Sequence, residues 1–228
     1  MLPTYNERDN IAAVIARIRT VSASMDIVVV DDGSPDGTAG IVRELATLDP
    51  NLSLIDRGRK LGLGSAYMMG FEYALARGRA AVATMDADHS HDPALLPLFV
   101  RSLDDADLVI GSRYVEGGLI QNWGPARKVV SRIANGIVSA YLARQVRDCT
   151  SGYRVYSAAL LRSFDGTRFR SQGFSMLVEL LAEAVQGGAR IIEHPIVFAE
   201  RRSGKSKLRP SEILESLALY ARHAFRGR

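Results

Sequence analysis

Cysteine, aromatic residues and long apolar runs are all scarce in this chain of 228 residues. Because Cys149 is the only cysteine, no internal disulfide can form, and a reducing compartment is the simplest expectation. No segment has the roughly 18 consecutive apolar residues that a membrane-spanning helix needs. The polar stretch Thr4–Arg8 also interrupts any apolar run that would act as a signal peptide. These absences predict a soluble, cytoplasmic protein.

Proline and glycine are present at ordinary levels, with 8 and 20 residues, which excludes a collagen-like chain. Hydrophobic residues make up 47% of the sequence and charged residues 24%, so the chain can bury enough apolar surface to fold. A chain of this length usually forms one domain, or two lobes that share a core. We therefore expect a single globular domain.

Charge is distributed unevenly along the chain, although the net charge is only +4. Residues 1–112 contain 10 basic and 16 acidic side chains, whereas residues 113–228 contain 19 basic and 9 acidic ones. An acidic half suits a metal site, and a basic half suits phosphate groups or an anionic membrane surface. Chance asymmetry between solvated faces is the alternative interpretation.

Short apolar runs alternate with helix-length segments in the first half. Ile27–Val30 is a β-branched run that ends at Asp31 and Asp32, which is typical of a buried strand and its turn. Asn6 is a candidate N-cap for a first helix, whose apolar residues recur with helical spacing from Ile11 to Ile18. Further strands are predicted at 52–55, 80–85 and 108–110, and further helices at 37–48, 64–76 and 93–103. This alternation predicts an α/β fold with a parallel sheet.

The pattern changes after Arg113, where a glycine-rich loop precedes a predicted helix over 126–142. Residues 148–156 are predicted to be irregular. Within them, Asp148 and Arg154 are a candidate structural ion pair, with a binding role as the alternative. The remaining predictions are a helix at 175–185, a strand at 191–198, a basic loop at 201–210 and a last helix within 211–228. At the other end, Met1–Pro3 is too short for a full first strand, so we expect a weakened edge of the core.

Acidic residues follow three successive predicted strands, as Glu7, as Asp31 and Asp32, and as Asp86 and Asp88. Ligands of open α/β sheets bind at the carboxyl ends of the strands, so these carboxylates should share one rim. Such a cluster is costly unless a cation or hydrogen-bond donors compensate it. Two aspartates at i and i+2 can present hard oxygen ligands to Mg²⁺ or Mn²⁺. A surface turn is the alternative for an isolated Asp-x-Asp.

Other kinds of site fit the sequence less well. His89 and His91 lack the further cysteine and histidine ligands of a zinc site. The segment from Asp86 lacks the glycine and the terminal glutamate of an EF-hand loop. Gly62-x-Gly64 lacks the third glycine of a dinucleotide fingerprint. A phospho-acceptor receiver domain would have a single aspartate where this chain has a second pair.

Six short motifs follow one another along the chain. They are Pro3-Thr4-Tyr5-Asn6-Glu7, Val30-Asp31-Asp32-Gly33-Ser34, Asp86-Ala87-Asp88, Gly111-Ser112-Arg113, Asp148-x-x-Ser151-Gly152-Tyr153-Arg154 and Arg201-x-x-Gly204-x-Ser206-Lys207. In this order they resemble the polyprenol-phosphate (dolichyl-phosphate) mannosyltransferases, which are inverting family-2 glycosyltransferases. The resemblance spans Pro3 to about Leu208 and implies the GT-A fold, a Rossmann-like, mostly parallel sheet flanked by helices.

The resemblance also implies a role for each matching residue. Asp86 and Asp88 would hold Mg²⁺ or Mn²⁺ against the donor diphosphate, and Ser90 stands where many relatives have glutamine as a third ligand. Residues that would bind the donor are Pro3, Tyr5, Glu7 and Asp32 at the nucleoside, and Arg201 and Lys207 at the diphosphate. Residues that would grip the acceptor phosphate are Arg113, Arg127 and Ser131.

The chemistry of such a transfer suits the residues present. An acceptor phosphate is already ionised near neutral pH, because its second pKa is about 6, so no general base is required. Positive charge is needed instead, to bring two polyanions into line. Arg127 and Ser131 lie four residues apart and would share one helix face. A solvated basic face is the alternative for Arg127, Lys128 and Arg132.

The sequence therefore predicts a metal-dependent inverting transferase that moves mannose from GDP-mannose to polyprenyl monophosphate, with Asp88 and Arg113 as catalytic residues. Glucose transfer from UDP-glucose and a non-catalytic nucleotide-sugar-binding subunit are the alternatives. The catalytic domain would span 1–210, divided into a nucleotide-sugar and metal half at 1–112 and an acceptor half at 113–210. The helix at 211–228 would pack on the core or lie at the membrane surface.

A lipid acceptor implies contact with a membrane. We expect a peripheral protein at the inner face of the plasma membrane, with a separate membrane-anchoring protein as a candidate partner. Nucleic acid is not an expected partner, because the basic loop lacks the interleaved aromatic side chains that stack on single strands, and no nucleic-acid-binding module is present.

Overall fold

The computed structural model describes residues 1–142, 146–165, 173 and 175–199. Strands in these ranges are β1 Leu2–Thr4, β2 Ile27–Asp31, β3 Leu52–Asp56, β4 Ala81–Thr84, β5 Leu108–Ser112, β6 Leu119–Ile120, β7 Arg154–Ser157, β8 Ile191–Pro195 and β9 Val197–Phe198. Helices are α1 Arg8–Val21, α2 Thr38–Ala46, α3 Leu63–Ala76, α4 Leu96–Arg101, α5 Pro125–Leu142, α6 Ala158–Ser163 and α7 Met176–Gln186.

The strands form one broad, mostly parallel arrangement. β1, β2 and β3 pair in parallel, while β4, β7, β5 and β8 form a second ladder in that order. Met1 joins the two, because its amino group donates to Ala83 O at 2.8 Å and its carbonyl accepts from Met85 N at 3.3 Å. The resulting order is β3-β2-β1-β4-β7-β5-β8, in which β7 runs antiparallel to both neighbours.

The first strand is short, as expected, but it does not lie at an edge. β1 pairs in register with β2 from Leu2 to Thr4 and lies between β2 and β4. Burial lowers the pKa of the Met1 amino group to about 5. Gly70 of α3 leaves room for Met1, whose Sδ would lie 2.0 Å from a Cβ at that position. The expected weak edge is therefore wrong, since β1 occupies the interior of the sheet.

Helices cover both faces of the sheet. Val28 and Val30 of β2 pack with α3, α5 and α7, while Ile27 and Val29 pack with α1, α2 and α4. Strands that are buried on both faces read as continuous apolar runs, which is why β2 was recognisable from its sequence. The α/β class and the mostly parallel sheet predicted from the sequence are confirmed.

Strand β7 and helix α6 were not predicted. β7 is four residues long and includes Arg154, whose side chain is fully buried. The guanidinium donates to the carbonyl oxygens of Cys149 (2.8 Å), Ser151 (2.8 Å) and Leu177 (2.6 Å). A buried arginine within a short strand interrupts the hydrophobic pattern on which strand prediction depends. The predicted irregular stretch at 148–156 is thus wrong from Arg154 onward.

Three further boundaries differ from the sequence pattern. Glu7, not Asn6, is the N-cap of α1, because Asn6 adopts a left-handed conformation with φ of 56°. The predicted helix at 93–103 contains only the six residues of α4, flanked by 3₁₀ turns. The predicted strand at 191–198 is divided at Ile196, so that β8 pairs with β5 and β9 with β6.

In the ranges given above, no helix combines the length and the apolar character needed to cross a bilayer. The basic loop predicted at 201–210, with Arg201 and Lys207, and the helix predicted at 211–228 lie outside the described residues.

Replacing Arg154 should destabilise the fold severely. We expect Arg154→Met to lower the free energy of unfolding by about 3 kcal/mol or more, because buried carbonyl oxygens would lose their donor. Urea unfolding followed by circular dichroism measures the change. Arg162→Met on the exposed face of α6 is the matched control, with an expected effect within about 0.5 kcal/mol. Equal stability of the two variants would show that the hydrogen bonds of Arg154 do not stabilise the fold.

Candidate active site

The segment after β1 carries the first group of predicted site residues. Tyr5 is half-buried, and Lys60 Nζ lies 4.1 Å from the centre of its ring. Glu7 is buried at the N-terminus of α1, where its carboxylate accepts from Asn10 Nδ2 at 2.9 Å and its backbone amide donates to Thr38 Oγ1 at 3.0 Å. Pro3, within β1, pairs with Val30 of β2. Pro3, Tyr5 and Glu7 thus lie at the carboxyl end of β1.

The two aspartates after β2 have different partners. Asp31 accepts from Thr4 Oγ1 at 2.8 Å and from both the amide and the hydroxyl of Ser34, so it ties the ends of β1 and β2 together. Asp32 accepts from the amides of Leu61 and Gly62 at 2.8 and 2.9 Å. Asp31 and Asp32 therefore hold two different loops at the carboxyl end of β2.

Segment 57–62 is held against this rim by a buried ion pair. Arg57 Nη1 lies 2.8 Å from Asp32 Oδ1, with 2% and 8% of the two side chains exposed. The same guanidinium donates to Gly62 O and to Ser65 Oγ. Gly33 allows the backbone of segment 57–62 to approach this closely, since a Cβ at position 33 would lie 2.5 Å from Arg59 N. The Gly33 φ of 68° also favours glycine. This arrangement places Lys60 beside Tyr5.

The second acidic pair lies in a tight turn after β4. Asp88 is buried, and its Oδ1 accepts from the amide of Ser90 at 3.1 Å and from its hydroxyl at 2.5 Å. Asp86 is half-buried, with Oδ1 3.3 Å from where a Cβ on Gly152 would lie. Asp86 N donates to His91 Nδ1 at 3.1 Å. The turn is thus built around the His91 ring, and Ser90 orients the Asp88 carboxylate.

His91 has a structural role in this turn. Its ring is buried and stacks on Tyr153 with centroids 5.0 Å apart. Burial lowers the pKa of His91 to about 4, against the opposing influence of the Asp88 carboxylate, so the ring is neutral at pH 7. The charges of Arg113 and Asp148 also act on this pKa. The turn after β4 is therefore close enough to Arg113, at the end of β5, for the Arg113 charge to act on His91.

The donor set of this turn fits a hard divalent cation. Asp86 and Asp88 offer carboxylate oxygens, which Mg²⁺ and Mn²⁺ prefer. In residues 1–142, 146–165 and 175–199, no three histidine, cysteine, aspartate or glutamate side chains are grouped so as to hold a metal ion. Two protein carboxylates suit an ion that keeps waters and takes ligand phosphates as its other partners.

Arg113 forms a buried, bidentate ion pair with Asp148. Its Nε and Nη2 each lie 2.7 Å from a carboxylate oxygen of Asp148, and its backbone amide donates to the same carboxylate at 2.9 Å. Burial raises the pKa of Asp148, but the charge and hydrogen bonds of Arg113 outweigh it, so the pKa stays below the ordinary value. The Arg113 pKa, which burial lowers, is raised overall by Asp148. The predicted pairing of Asp148 with Arg154 is wrong, because Arg154 donates to backbone carbonyl groups.

Further polar residues, which the sequence did not predict, form hydrogen bonds around this ion pair. Thr150 Oγ1 accepts from Arg113 Nη2 at 2.8 Å and from Asn135 Nδ2 at 3.1 Å. Glu193 of β8 accepts from the amides of Arg147 and Asp148 at 2.7 and 2.8 Å. These residues are far apart in sequence and belong to no common motif, so only the fold brings them together.

The three predicted acceptor residues meet around two aromatic rings. The guanidinium carbons of Arg113 and Arg127 lie 5.9 and 3.9 Å from the centre of the Trp123 ring. Tyr114, whose ring centre is 5.4 Å from that carbon of Arg113, donates its hydroxyl proton to Ser131 Oγ at 2.7 Å. The structure therefore brings Arg113, Arg127 and Ser131 into one neighbourhood. Arg201 and Lys207 lie outside the described residues, and no position is given for them.

Comparison with known sequences identifies the family. Residues 1–164 match the profile described as Glycosyl transferase family 2, which is more than half of the chain. The chain belongs to glycosyl transferase family 2. The family resemblance inferred from the six motifs is thereby confirmed.

Two curated relatives match this family 2 glycosyltransferase over its whole length. A polyprenol monophosphomannose synthase from Mycolicibacterium smegmatis is 40% identical over 230 residues, which cover 100% of this chain and 87% of the relative. An undecaprenyl-phosphate mannosyltransferase from Micrococcus luteus is 38% identical over 228 residues, with 100% and 94% covered.

Solved structures of a more distant protein share the fold of this family 2 glycosyltransferase. Glucosyl-3-phosphoglycerate synthase from Mycobacterium tuberculosis with uridine-diphosphate has a TM-score of 0.66 at 20% identity, covering 98% of this chain and 78% of that one. The same protein with Mn²⁺, uridine-diphosphate and phosphoglyceric acid has a TM-score of 0.64 at 21% identity, with 98% and 74% covered. The predicted GT-A fold is confirmed.

The Arg113–Asp148 pair should be measurable through stability. We expect Asp148→Asn to lower the free energy of unfolding by about 3–5 kcal/mol at neutral pH, because the Arg113 charge would stay buried without a partner. The pKa of Asp148 is lower in the folded chain than its unfolded value of about 3.9, so the wild-type advantage should be complete above that pH. It should then shrink as the pH falls through the folded pKa.

Denaturant unfolding at a series of pH values from neutral to about 3 measures both effects. Asp107→Asn is the matched control, because Asp107 faces Arg190 at the surface, and we expect it to cost about 1 kcal/mol or less. A pH-independent difference between wild type and Asp148→Asn would show that the ion pair is not its source.

Proposed function

We propose that this protein transfers mannose from GDP-mannose to the phosphate of a polyprenyl monophosphate, with inversion at the sugar carbon. The two curated relatives that match its full length carry names for this kind of lipid mannosylation, and their identity of 38–40% supports the same substrate class. The protein would act as a peripheral enzyme at the inner face of the plasma membrane, where a lipid-borne phosphate is reached.

One observation carries the proposal: an acidic strand end and an arginine cluster lie side by side. Asp86 and Asp88 follow β4, and Arg113 lies just past the last residue of β5. The His91 ring, which accepts from Asp86 N, and the Arg113 guanidinium lie 5.5 and 5.3 Å from the centre of the same Phe198 ring. Carboxylates that hold a divalent cation on one side, and arginines on the other, can neutralise a donor diphosphate and an acceptor phosphate that must approach each other. Arg127 extends the positive side, and Ser131 adds a neutral hydroxyl group on the same helix.

The transfer step requires no proton acceptor from the protein. An ionised oxygen of the acceptor phosphate forms the new bond to the anomeric carbon of mannose, while the bond from that carbon to the GDP oxygen breaks and GDP leaves with the electron pair. Arg113 and Arg127 would fix the acceptor phosphate in line and lower its repulsion from the donor. His91, neutral and bonded to the backbone, would keep the turn in shape.

A divalent ion held by Asp86 and Asp88 would supply charge neutralisation for the departing diphosphate. Ser90 would hold the Asp88 carboxylate in a fixed orientation through its hydroxyl group. On the donor side, Tyr5, Glu7 and Asp32 would form the nucleoside pocket, to which Arg201 and Lys207 would add contacts with the diphosphate.

Product analysis tests the proposal directly. The purified protein would be incubated with radiolabelled GDP-mannose, UDP-glucose or UDP-N-acetylglucosamine, together with polyprenyl phosphate and Mg²⁺ or Mn²⁺, and the lipids extracted. We expect label in the lipid phase from GDP-mannose alone. Label from UDP-glucose would replace the proposed donor, and no label from any donor would favour a non-catalytic subunit.

Replacing the buried carboxylate tests the metal assignment. We expect Asp88→Asn to reduce kcat at least about 100-fold and to weaken GDP-mannose binding only when Mg²⁺ or Mn²⁺ is present, since the carboxylate acts through the ion. Calorimetric titration with GDP-mannose, with and without EDTA, separates the two conditions. Wild-type turnover that is unaffected by EDTA would contradict the assignment.

Replacing a predicted acceptor residue tests the other side of the site. We expect Arg127→Ala to raise KM for polyprenyl phosphate about tenfold or more, while KM for GDP-mannose changes little, because one charge on the acceptor phosphate is lost. Steady-state kinetics with each substrate varied in turn measures the split. The reverse pattern would place Arg127 on the donor side.

A further inference from the structure

Five residues form a closed series of contacts that connects the end of β5 to helix α5, and we call them the acceptor network. Thr150 Oγ1 accepts from Arg113 Nη2 at 2.8 Å and from Asn135 Nδ2 at 3.1 Å. Asn135 Nδ2 also donates to the carbonyl oxygen of Ser131, four residues earlier on α5, at 3.0 Å. The series closes through Tyr114, which donates its hydroxyl proton to Ser131 Oγ and lies beside the Arg113 guanidinium. Arg113 and Ser131 are therefore connected by two routes.

Asn135 is the buried centre of this network. It is 2% exposed within helix α5, although asparagine is a weak helix former and a buried amide group is costly unless it is hydrogen-bonded. Its side-chain oxygen accepts from the amide of Cys149 at 2.9 Å, while its nitrogen donates to Ser131 O and Thr150 Oγ1. Because the Cys149 amide can only donate, the orientation of the Asn135 side chain is fixed. Its hydrogen bonds thus tie α5 to the segment that follows Asp148.

The same network determines which edge of the Arg113 guanidinium faces an anion. Asp148 accepts from Nε and Nη2, and Thr150 accepts from Nη2 as well. Among the described residues, no hydrogen-bond partner is present for the remaining nitrogen, Nη1. Thr150 and Asp148 together therefore hold the guanidinium so that Nη1 is the donor left for a phosphate oxygen.

We infer that Asn135 and Thr150 are positioning residues of the acceptor side, which hold Arg113 and Ser131 at the separation at which both bind one phosphate. The inference rests on the proposed phosphate acceptor and goes further, because it assigns a role to two residues that act through their neighbours. Donors that are fixed in advance lose little freedom when an anion binds, so displacing one of them weakens phosphate binding. The donor side is unaffected, because the aspartates after β4 take no part in the network.

Removal of one hydroxyl group tests the inference. Asn135→Leu would leave the buried Cys149 amide without an acceptor and destabilise the fold, so Thr150 is the better position. Thr150→Val keeps the shape of the side chain but removes the group that joins Asn135 to Arg113. Calorimetric titration of the full-length protein with farnesyl phosphate, without any nucleotide sugar, measures the dissociation constant. We expect Thr150→Val to raise it about tenfold and Thr150→Ser to restore the wild-type value.

Thr47→Val is the matched control, because Thr47 donates to Glu44 O at the exposed end of α2, on the other face of the sheet. It should bind farnesyl phosphate like wild type. Tyr114→Phe opens the acceptor network at its second connection, which is half-buried, and should also weaken binding. Wild-type affinity in Thr150→Val would overturn the inference, as would the absence of binding by the wild-type protein. If Thr150→Val fails to fold, wild-type affinity in Tyr114→Phe has the same meaning.

A positioning role also predicts that losses are not independent. Once Ser131→Ala has removed one of the aligned groups, removing the Thr150 hydroxyl should cost less. The dissociation constant of the double variant should therefore rise by less than the product of the two single fold-changes. Fold-changes that multiply would overturn the inference, because they would show that Thr150 does not align Ser131 with Arg113.

Steady-state kinetics separate this inference from the proposed function. Thr150→Val should raise KM for the prenyl phosphate about tenfold and leave KM for GDP-mannose within about twofold. An equal rise in both KM values would overturn the inference, because it would indicate a general distortion of the site. A wild-type protein that transfers no sugar but binds farnesyl phosphate, more weakly after Thr150→Val, would refute the proposed reaction and leave the inference intact.

Discussion

The buried ion pair between Arg113 and Asp148 is the interaction on which the site depends. Its two residues lie just past β5 and before β7, and Glu193 extends the connection to β8. A desolvated charge that is held bidentately has little freedom to move, so the arginine presents one geometry to any anion that approaches. The same pair keeps a charged arginine, with only 7% of its side chain exposed, at the end of β5. The protein supplies its counter-charge before any substrate arrives.

The opposite charges of the two halves acquire a structural meaning in this arrangement. Acidic side chains of the first half are not simply repelling one another at the rim, because Asp31, Asp32 and Asp88 each accept hydrogen bonds from nearby donors. Basic side chains of the second half are supported by aromatic rings, above all Trp123. The uneven charge of the sequence therefore corresponds to two surfaces of opposite charge at one rim of the sheet, an acidic one after β2 and β4 and a basic one after β5.

Sequence reasoning found the parts of the molecule whose signal is local. β2 was visible as a β-branched run, and the aspartates after β2 and β4 were found because strand ends are marked by turns. The features that were not predicted depend on contacts between residues that are far apart in the sequence. Arg154, six residues away, was the candidate partner of Asp148, whereas its actual partner Arg113 is 35 residues away. Asn135 and Glu193 belong to no motif, and Thr150 is an unspecified position of the fifth motif. Strand β7 was not predicted because it contains a buried arginine, which a hydrophobic pattern does not anticipate.

Strand β7 has a consequence for how the chain reaches its native state. β4 and β5 are parallel strands on either side of it, and neither can complete its pairing until residues 154–157 have been added. A ribosome-bound intermediate that ends near residue 112 would therefore have an open slot in the middle of its sheet. The segments before and after residue 112 are consequently not separate folding units, because the sheet is completed only by a long-range insertion, which is a slow class of folding event.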